Sequence, residues 1–570
     1  MSSAFRIPPV ALRFCGAVST GILLATAFPP FKGSEAVWTA LAPLLLVARY
    51  SDRKTSFKWG YIGGLVFWLI DMSWLLSLAK TSTTWPLAVF GWLALSAYLA
   101  LYFGAFAMAV SFVWKSGCAE DGVQHDQNPR SRISKPESIV AGPDNLLRNL
   151  ALMFVIPLIW VGFEYLRSTL FTGLAWNALG VSQYRNLAVI QIAEWGGVYA
   201  VSAIIVLMNV AMAVTFIRFI NIYRHGRPSR RLSIELMTGL VICAACWIYG
   251  YRIASRIYGE DNRGTEVKIA AVQPCIPQLK KWDADAINDI YETLLNQTEP
   301  VMRVPGLQMI VWPETSVPGP VLSDADTGDF VRSVVRNGTP LLVGSMEVDD
   351  TEATEKLYNS SFLFSPDGMV KGRYRKQHLV PFGEYIPFDK TIRFIGNLEM
   401  LGFSCSEGTT GTVFRLDDSK TMFSVLICFE DTIASLAAES VRNGARLLIN
   451  QTNDAWFDGT AGALQHMSQC VFRCVENRVP AVRCANSGVT CFIDKAGGVD
   501  MLKNEKGEMS FPGFQLGSVF VRGADMPLTF YTRYGDLPFA VPCAVLAVLV
   551  FVLAIVSDKR EKTLSKGITK

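Results

Sequence analysis

Phe423-Ser-Val-Leu-Ile-Cys428-Phe-Glu430 is a short apolar run that ends on a thiol and a carboxylate. Apolar residues rich in β-branched side chains are typical of a buried strand, so the run predicts a strand that delivers Cys428 to its C-terminal edge. A cysteine in such a place is usually an inert, small hydrophobic residue. Because a thiolate is also a strong nucleophile, Cys428 is nevertheless a candidate catalytic residue.

Two further segments carry candidate charged residues: the first is a strand-like run that ends on a carboxylate, and the second places a lysine ahead of a loop that contains Pro, Gly and a second carboxylate. They are Leu307-Gln-Met-Ile-Val-Trp-Pro-Glu314 and Tyr374-Arg-Lys376-Gln-His-Leu-Val-Pro-Phe-Gly-Glu384-Tyr-Ile-Pro387. Glu314 is suited to take the proton of the thiol as a general base. Lys376 is suited to lower the pKa of the thiol and, with a backbone N–H after the cysteine, to stabilise an oxyanion.

Each of these three residues also has a purely structural interpretation. Glu314 precedes Thr315 and could cap a helix, Lys376 could be one surface lysine of a basic run, and Cys428 could be part of the core. The occurrence of all three segments in this order favours the catalytic interpretation. A base, an oxyanion stabiliser and a nucleophile would then meet at the edges of one sheet.

The three segments resemble the Glu-Lys-Cys motifs of the nitrilase, or carbon–nitrogen hydrolase, superfamily. Within it, His378-Leu-Val-Pro-Phe-Gly-Glu-Tyr is similar to the apolipoprotein N-acyltransferase family. Four further segments are also similar to this family: Ala271-Val-Gln-Pro-Cys-Ile-Pro277, Lys281-Trp282-Asp283, Asn453-Asp-Ala-Trp-Phe457 and Arg483-Cys-Ala-Asn-Ser-Gly488. One departure is Phe429, which stands where the family usually has tyrosine, so a hydroxyl group is missing.

The resemblance implies an α-β-β-α sandwich and a specific acyl transfer. An acyl chain would move from a membrane phospholipid to the α-amino group of the S-diacylglyceryl-cysteine of an apolipoprotein, the last step of lipoprotein maturation. Cys428 would attack the donor ester and carry the chain as a thioester, Glu314 would move the protons, and Lys376 would hold the oxyanion. The two half-reactions would follow a ping-pong order, and neither a metal nor an organic cofactor would be needed.

The resemblance also assigns roles to residues around the triad. Supporting roles, either positioning Lys376 or shaping the pocket, fall to Glu384 and Glu430. Contact with lipid, or control of its entry, falls to Trp282, Trp456 and Phe457, whose alternative interpretation is ordinary packing of loop aromatics.

Two other functional classes use the same sequence features. A membrane-anchored nitrilase-type amidase would have the same triad but transfer the acyl group to water. A non-enzymatic scaffold would be expected to have lost a triad residue. The long apolar front half of the chain favours the acyltransferase, because a hydrolase of small amides needs no access to lipid.

The composition predicts a membrane protein. Of 570 residues, 51% are hydrophobic and only 18% are charged, and the mean hydropathy is +0.28. A spanning helix needs about 20 mostly apolar residues. Eight segments are candidates, of which the second is short: Val10–Phe28, Ala36–Ala48, Tyr61–Leu78, Pro86–Val113, Leu150–Leu166, Leu187–Phe216, Ile234–Ile253 and Leu537–Val556.

These segments predict three parts of the chain. Residues 1–255 are a membrane domain with seven transmembrane helices, residues 256–530 are a catalytic domain outside the membrane, and residues 531–570 are a last transmembrane helix and a tail. The first helix is expected to stay uncleaved, because its removal would leave an odd number of spans. The polar segment 118–144 is expected to be a flexible loop.

Basic side chains predict the orientation, because Lys and Arg concentrate at the cytoplasmic ends of spans. They cluster before the first span and after the second, fourth, sixth and last: Arg6, Arg49, Arg53, Lys54, Lys58, Lys115, Arg130, Arg132, Lys135, Arg148, Arg224, Arg227, Arg230, Arg231, Lys559, Arg560 and Lys562. Both termini are therefore expected in the cytoplasm. With the resemblance, this places the catalytic domain on the periplasmic face of a bacterial inner membrane.

Other classes of partner have little support. The net charge of +4 is explained by the cytoplasmic loops, and no base-reading motif indicates nucleic acid. The twelve cysteines lack the paired spacing of a zinc site. An outer compartment permits a disulfide, which the sequence leaves open, among Cys470, Cys474, Cys484 and Cys491.

The outer block alternates β-rich runs with helical stretches, which is an α/β layer pattern. The predicted strands are Val267–Gln273, Met309–Val311, Leu341–Gly344, Ser360–Phe364, Phe423–Cys428, Arg446–Asn450, Ala481–Cys484 and Thr490–Ile493. The predicted helices are Asp283–Val301, Thr327–Asn337, Ala434–Asn443 and Ala463–Asn477.

Ionisable groups within the apolar segments are costly and are usually functional or paired. They are Glu164, Arg167 and Glu194. A polar and aromatic stretch is expected at the outer surface of the membrane, at Trp176, Asn177, Gln183, Tyr184 and Arg185. For each residue alone, the alternative is an interfacial aromatic belt with salt-bridged side chains. Together these residues predict a cavity that opens from the outer leaflet toward the catalytic domain.

Overall fold

The computed structural model of the protein describes residues 9–116, 145–225, 233–260, 264–351, 355–386, 404–416, 421–457, 459–523 and 526–568. The loop expected at 118–144 and Pro387 of the lysine segment lie outside the described residues.

Helices dominate both ends of the chain. Before the first strand they are α1 (Pro9–Thr26), α2 (Val37–Ala40), α3 (Ala42–Arg49), α4 (Arg53–Asp71), α5 (Leu78–Thr81), α6 (Trp85–Ser116), α7 (Leu146–Thr169), α8 (Leu187–Ile190), α9 (Ala193–His225) and α10 (Ile234–Glu260). In the described part of the chain, six helices are long and apolar enough to cross a membrane: α1, α6, α7, α9, α10 and α16 (Ala540–Ile568). The bent pair Arg53–Asp71 and Ser73–Thr81, with 46° between its halves, raises the number to seven.

The second expected span, Ala36–Ala48, differs from the prediction because it is not one continuous helix. It consists of a 3₁₀ turn followed by α2 and α3, and Pro43 at the start of α3 cannot continue the hydrogen bonding of a preceding helix. The break lies in the apolar interior, where Leu41 is fully buried. Asn209 of α9 accepts hydrogen bonds from the backbone N–H groups of Leu41 (2.8 Å) and Ala42 (3.1 Å), as buried backbone requires.

Two six-stranded sheets form the block between α10 and α16. One sheet has the order β12-β1-β2-β3-β4-β5 and the other β11-β10-β9-β8-β7-β6. The strands are β1 (Thr265–Gln273), β2 (Met309–Val311), β3 (Leu341–Asp349), β4 (Lys356–Phe364), β5 (Val370–Arg375), β6 (Val413–Arg415), β7 (Met422–Ile427), β8 (Leu447–Thr452), β9 (Ala481–Ala485), β10 (Cys491–Ile493), β11 (Val499–Met501) and β12 (Gly513–Val521). The central strands β1-β2-β3 and β7-β8-β9 run parallel.

Helices cover the outer face of each sheet. One sheet packs against α11 (Ile287–Met302) and α12 (Ala325–Val335), and the other against α13 (Ala434–Arg442) and α14 (Ala461–Asn477). Apolar side chains of both sheets meet between them, including Val311, Ile427 and Ile449. The α-β-β-α sandwich expected from the resemblance is therefore confirmed.

All eight predicted strands and all four predicted helices of this block exist. The four strands that the sequence did not predict are β5, β6, β11 and β12. All four of them end a sheet, and none is a continuous apolar run; β5, for example, reads Val-Lys-Gly-Arg-Tyr-Arg, and only Tyr374 in it is buried. Strands at edges need only one buried side, so hydrophobicity alone does not reveal them.

The sandwich rests on the membrane helices through α14. Gln465 of α14 accepts a hydrogen bond from the indole of Trp176 (2.8 Å) and donates one to the carbonyl of Pro29 (2.8 Å). Gln469 donates to Asn177, which itself donates to Asp71 at the end of α4 (2.9 Å).

This junction corrects one expectation from the sequence. Five polar or aromatic residues of the stretch 176–185 were expected at the outer surface. Four of them are buried instead: Trp176, Asn177, Gln183 and Tyr184. They are buried because the sandwich covers this end of the helix bundle. Arg185 alone among the five is exposed.

Candidate active site

Cys428 follows the last residue of β7 and begins a 3₁₀ turn, Cys428–Thr432. Its φ is +52°, which is an uncommon left-handed conformation for a residue with a side chain. Asn450 of β8 donates hydrogen bonds to the carbonyl oxygens of Leu426 and Cys428, both at 3.1 Å. This arrangement lifts a partly exposed thiol above the end of the sheet on a tightly held turn.

Glu314 lies just beyond the end of β2 and is buried. One carboxylate oxygen, Oε1, accepts a hydrogen bond from Asn359 at 2.8 Å. The other, Oε2, has no hydrogen-bond partner among the described residues. The chain bends sharply here, since Thr315 has a φ of +42°. The carbonyl oxygen of Pro313 packs closely against Gly344 of β3, where a Cβ atom on any other residue would clash with it.

Lys376 follows β5 and is 1% exposed. Its Nζ lies 2.8 Å from Glu384 and 3.4 Å from Oε1 of Glu314. Burial by itself lowers the pKa of this lysine, but the nearby carboxylates of Glu384 and Glu314 outweigh that effect and hold the pKa well above its usual value. Lys376 is therefore a cation at neutral pH.

The thiol of Cys428 is protonated in this arrangement. Burial raises its pKa, the negative charge of Glu314 raises it further, and Lys376 only partly opposes them. A nucleophile in this state needs a base to remove its proton. Glu314, whose Oε2 has no hydrogen-bond partner among the described residues, is a candidate for that base.

Glu384 and Glu430 hold the lysine segment in place. Glu384 bridges Lys376 and Asn359 and accepts a hydrogen bond from the backbone of Val380. Glu430 is fully buried, where burial raises its pKa to about 7. It accepts hydrogen bonds from the backbone N–H groups of Ile427, Gln377 and His378 and from the hydroxyl of Tyr374. Glu430 thus connects the turn Cys428–Thr432 to the segment that contains Lys376.

The predicted lipid-contact residues occupy two different places. Trp282 is 42% exposed on a 3₁₀ turn, Lys280–Trp282, beyond β1. Trp456 and Phe457 instead lie at the junction with the membrane helices. The carbonyl of Trp456 accepts hydrogen bonds from Ser77 and Thr81, and the ring of Phe457 packs edge-on against Trp74 at 4.8 Å.

Phe429 links the nucleophile turn to the membrane part. Its ring stacks on Trp176 at 6.4 Å with 6° between the planes, and on His378 at 6.0 Å. The missing hydroxyl therefore leaves the aromatic contact intact. The partner Trp176 lies far away in the sequence, so no local pattern predicted this stack.

A buried ionic cluster behind the nucleophile turn was also not predicted. Arg483 pairs with Asp431 (2.6 Å) and Asp454 (2.9 Å), and His466 lies between the same two carboxylates. Burial opposes the charged imidazole, but Asp431 and Asp454 together outweigh it and raise the pKa of His466 to about 9. Arg483 also donates to Asn450 at 2.7 Å, the residue that holds the Cys428 carbonyl.

Membrane-level charges are mostly paired, as their cost requires. Glu164 accepts from the backbone of Leu179, Arg167 donates to the carbonyls of Leu174 and Trp176, and Glu194 pairs with Arg478 at 2.8 Å. A cavity of about 30 Å³ among aromatic residues of α4, α6 and α7 touches Glu164 and Arg167. A cavity of this size has room for at least one water molecule.

Two further features concern metals and thiols. Within the described ranges, no group of three or more His, Cys, Asp or Glu side chains is arranged to hold a metal ion. The described cysteines, which include the four left open for a disulfide, are free thiols.

Two family models match the chain. The model described as apolipoprotein N-acyltransferase N-terminal domain matches residues 20–211, and the model described as carbon–nitrogen hydrolase matches residues 268–514. The second match contains Glu314, Lys376 and Cys428. Nit3 of Saccharomyces cerevisiae, a member of branch 10 of the nitrilase superfamily, aligns with a TM-score of 0.34 and 20% identity over 45% of this chain and 90% of its own.

Full-length relatives extend the match across both parts of the chain. An apolipoprotein N-acyltransferase of Geobacter metallireducens is 33% identical over 548 residues, which cover 94% of each chain. One of Chlorobaculum tepidum is 28% identical over 569 residues, which cover 94% of this chain and 95% of its own. The protein is therefore a multi-pass membrane acyltransferase with a carbon–nitrogen hydrolase fold, and it belongs to the apolipoprotein N-acyltransferase family.

Proposed function

We propose that the protein moves an acyl chain from a membrane phospholipid to the α-amino group of the diacylglyceryl-cysteine of a lipoprotein. The observation that carries this proposal is the place of the nucleophile. Cys428 sits on a turn whose next residue, Phe429, stacks on Trp176 of the membrane part. A nucleophile at the boundary between an apolar helix bundle and the sandwich is suited to a lipid donor and a peptide acceptor.

In the first half-reaction, the sulfur of Cys428 attacks the ester carbonyl while its proton passes to Glu314. Lys376 and a backbone N–H after the cysteine stabilise the oxyanion. The bond to the lysophospholipid oxygen breaks, and Glu314 returns the proton to that oxygen. The products are a lysophospholipid and a thioester on the enzyme.

In the second half-reaction, the neutral amine of the acceptor attacks the thioester. Glu314 takes a proton from the amine, the carbon–sulfur bond breaks, and the proton returns to the sulfur of Cys428. The kinetics are then ping-pong, with lysophospholipid released before the acceptor binds. Trp282 contacts the donor lipid, and Trp456 and Phe457 line the entry at the junction.

The expected test of this mechanism is a direct measurement of the thioester. Purified enzyme in detergent, loaded with acyl-labelled phospholipid, is expected to carry the label on Cys428 and keep it without acceptor, because a site closed to water protects the thioester. Addition of a diacylglyceryl-cysteine peptide is expected to move the label to the peptide amine. Mass spectrometry of the labelled cysteine peptide and of the acceptor measures both steps.

A membrane-anchored hydrolase gives a different result in the same experiment. It would lose the label quickly to free fatty acid, at a rate that the acceptor peptide does not change. That outcome would replace acyl transfer to an amine with transfer to water.

The proposed arrangement in the membrane has residues 1–255 and 531–570 in the inner membrane and residues 256–530 on the periplasmic side. The interrupted segment 34–49 is a short crossing in this arrangement, because it contacts α1 and returns the chain to the basic residues before α4. Eight crossings then place both termini in the cytoplasm.

Reporter fusions test this orientation. Fusions after Arg256 and near Asn453 are expected to report the periplasm, and fusions after Arg130, Arg227 and Lys562 the cytoplasm. A cytoplasmic signal from the first two fusions would contradict the proposed orientation.

A further inference from the structure

Lys281 is a second buried lysine at the active site, and neither half-reaction uses it. It is 3% exposed, whereas its neighbours Leu279 and Trp282 are 72% and 42% exposed. Its Nζ donates a hydrogen bond to the backbone carbonyl of Glu314 at 2.8 Å and another to the hydroxyl of Thr315 at 2.9 Å. The side chain of Lys281 therefore points inward from a short exposed turn and contacts the main chain of Glu314.

The main chain at this point is strained and needs partners. Thr315 is β-branched and has a φ of +42°, a conformation that such residues rarely adopt. On either side the chain is held by hydrogen bonds, from Gln451 to the carbonyl of Trp312 (2.6 Å) and from Ser316 to Gly344 (2.8 Å). Lys281 supplies the donor for the carbonyl of Glu314 itself, which is buried and requires one.

Two lysines therefore hold Glu314 from opposite ends. Lys376 contacts the carboxylate at Oε1, and Lys281 contacts the backbone carbonyl. Neither contact involves Oε2, the oxygen left for the proton of the nucleophile. Burial lowers the pKa of Lys281 to about 8, against the raising effect of Glu314 and Cys428.

We propose that Lys281 is a positioning residue that fixes the backbone of the general base, so that Oε2 of Glu314 faces the thiol of Cys428. This inference rests on the proposed function, in which Glu314 removes the thiol proton. Lys281 touches neither donor nor acceptor in this role. Its positive charge also favours the thiolate, together with Lys376 and against Glu314 and Glu384, which are the other charged groups acting on Cys428.

The test compares Lys281→Met with Lys280→Met in the full-length enzyme. Methionine matches the length of lysine but donates no hydrogen bond. Lys280 is the adjacent residue, but its Nζ points to a surface pair with Asp289, so it is a matched control outside the site. Two rates are measured on the Cys428 peptide by mass spectrometry: single-turnover acylation by labelled phospholipid, and alkylation by iodoacetamide as a function of pH.

Lys281→Met is expected to slow acylation about 10²-fold, since a displacement of about 1 Å in a catalytic group has effects of this size. The dependence on phospholipid concentration is expected to stay unchanged, because the donor does not contact Lys281. Alkylation below about pH 8 is expected to slow, which moves this part of the profile to higher pH, because Lys281 has a pKa of about 8 and the loss of its charge disfavours the thiolate in that range. Lys281→Arg is expected to recover part of the rate, and Lys280→Met to match the parent enzyme.

Acylation within twofold of the parent, with an unchanged alkylation profile, would overturn the positioning role. If Lys281→Met does not fold, Thr315→Val replaces it, because this variant keeps the lysine and removes one of its two acceptors. An unchanged acylation rate in Thr315→Val would then overturn the role.

Alkylation needs no acyl donor, so the two proposals fail separately. A parent enzyme that forms no thioester overturns the proposed function. The alkylation profile of Thr315→Val, which keeps the charge of Lys281, tests the positioning of Glu314 in either case, because the carboxylate of Glu314 acts on the pKa of Cys428. An unchanged profile in that variant counts against the positioning role.

Discussion

Cys428→Ser is expected to abolish acyl transfer and thioester formation, a loss of several orders of magnitude. A buried carboxylate such as Glu314 is able to remove a proton from a thiol, but it is too weak a base to ionise an alcohol. The substitution replaces only the sulfur atom by oxygen and leaves the turn, with its φ of +52°, in place. Single-turnover acylation with labelled phospholipid measures the effect.

The matched control is Cys484→Ser. Cys484 lies in the same sandwich, where its sulfur donates to the carbonyls of Val272 (3.3 Å) and Val311 (3.2 Å). A serine hydroxyl is able to donate in the same way, so this variant is expected to acylate like the parent. A label that persists in Cys428→Ser, or that maps to another cysteine, would refute the assignment of the nucleophile.

Glu314→Gln is expected to block formation of the acyl-enzyme. The amide keeps the shape of the side chain and an oxygen that can accept the hydrogen bond from Asn359. It cannot accept the proton of a thiol whose pKa is raised by burial. The exposed Glu299→Gln is the control for the substitution itself. Thioester formation at the parent rate in Glu314→Gln would show that another group removes the proton.

The same assay measures the contribution of Lys376. Lys376→Ala is expected to slow acylation by about 10² or more, as the loss of one oxyanion donor typically does. The control is Lys371→Ala in β5, because Lys371 is exposed at the surface. Normal single-turnover acylation in Lys376→Ala would mean that the lysine does not act on the oxyanion.

The junction gives a physical reason for joining a membrane bundle to a hydrolase fold. Trp176 of the bundle contacts Phe429 next to the nucleophile, and its indole bonds Gln465 of α14. A hydrolase of soluble amides has no use for such contacts. In the proposed transferase they hold the turn that carries Cys428 against the membrane part of the chain.

Local patterns were sufficient for the sandwich and for naming the three candidate residues of the triad, whose roles stay a prediction. Cys428 and Glu314 follow apolar strands, so the strand and the candidate residue are visible in one short stretch. Lys376 follows β5, which hydrophobicity did not reveal. The expectation that the three residues meet at one sheet was wrong, because β2 and β5 belong to one sheet and β7 to the other. The superfamily resemblance then connected the three stretches. It could not supply the distances between the groups, such as the 3.4 Å from Lys376 to Glu314.

Membrane helices were equally visible, because a span of about 20 apolar residues is a property of composition. The segment Ala36–Ala48 differs most from its prediction, and the expected span Tyr61–Leu78 is bent by 46° after Asp71. The backbone of Ala36–Ala48 is interrupted before Pro43, and the interruption is tolerated because Asn209, on a distant helix, satisfies the free N–H groups. No window of sequence contains both the break and the residue that compensates for it.

Tertiary structure alone decided which polar residues are buried and what they contact. The sequence predicted Trp176 and Asn177 at the outer surface, but the sandwich covers them and both are buried. Lys281 reads as one of two adjacent loop lysines, and only the fold directs it to the carbonyl of Glu314 while Lys280 remains at the surface. Periodicity and composition describe the element to which a residue belongs, whereas these contacts arise from packing between elements that are remote in the chain.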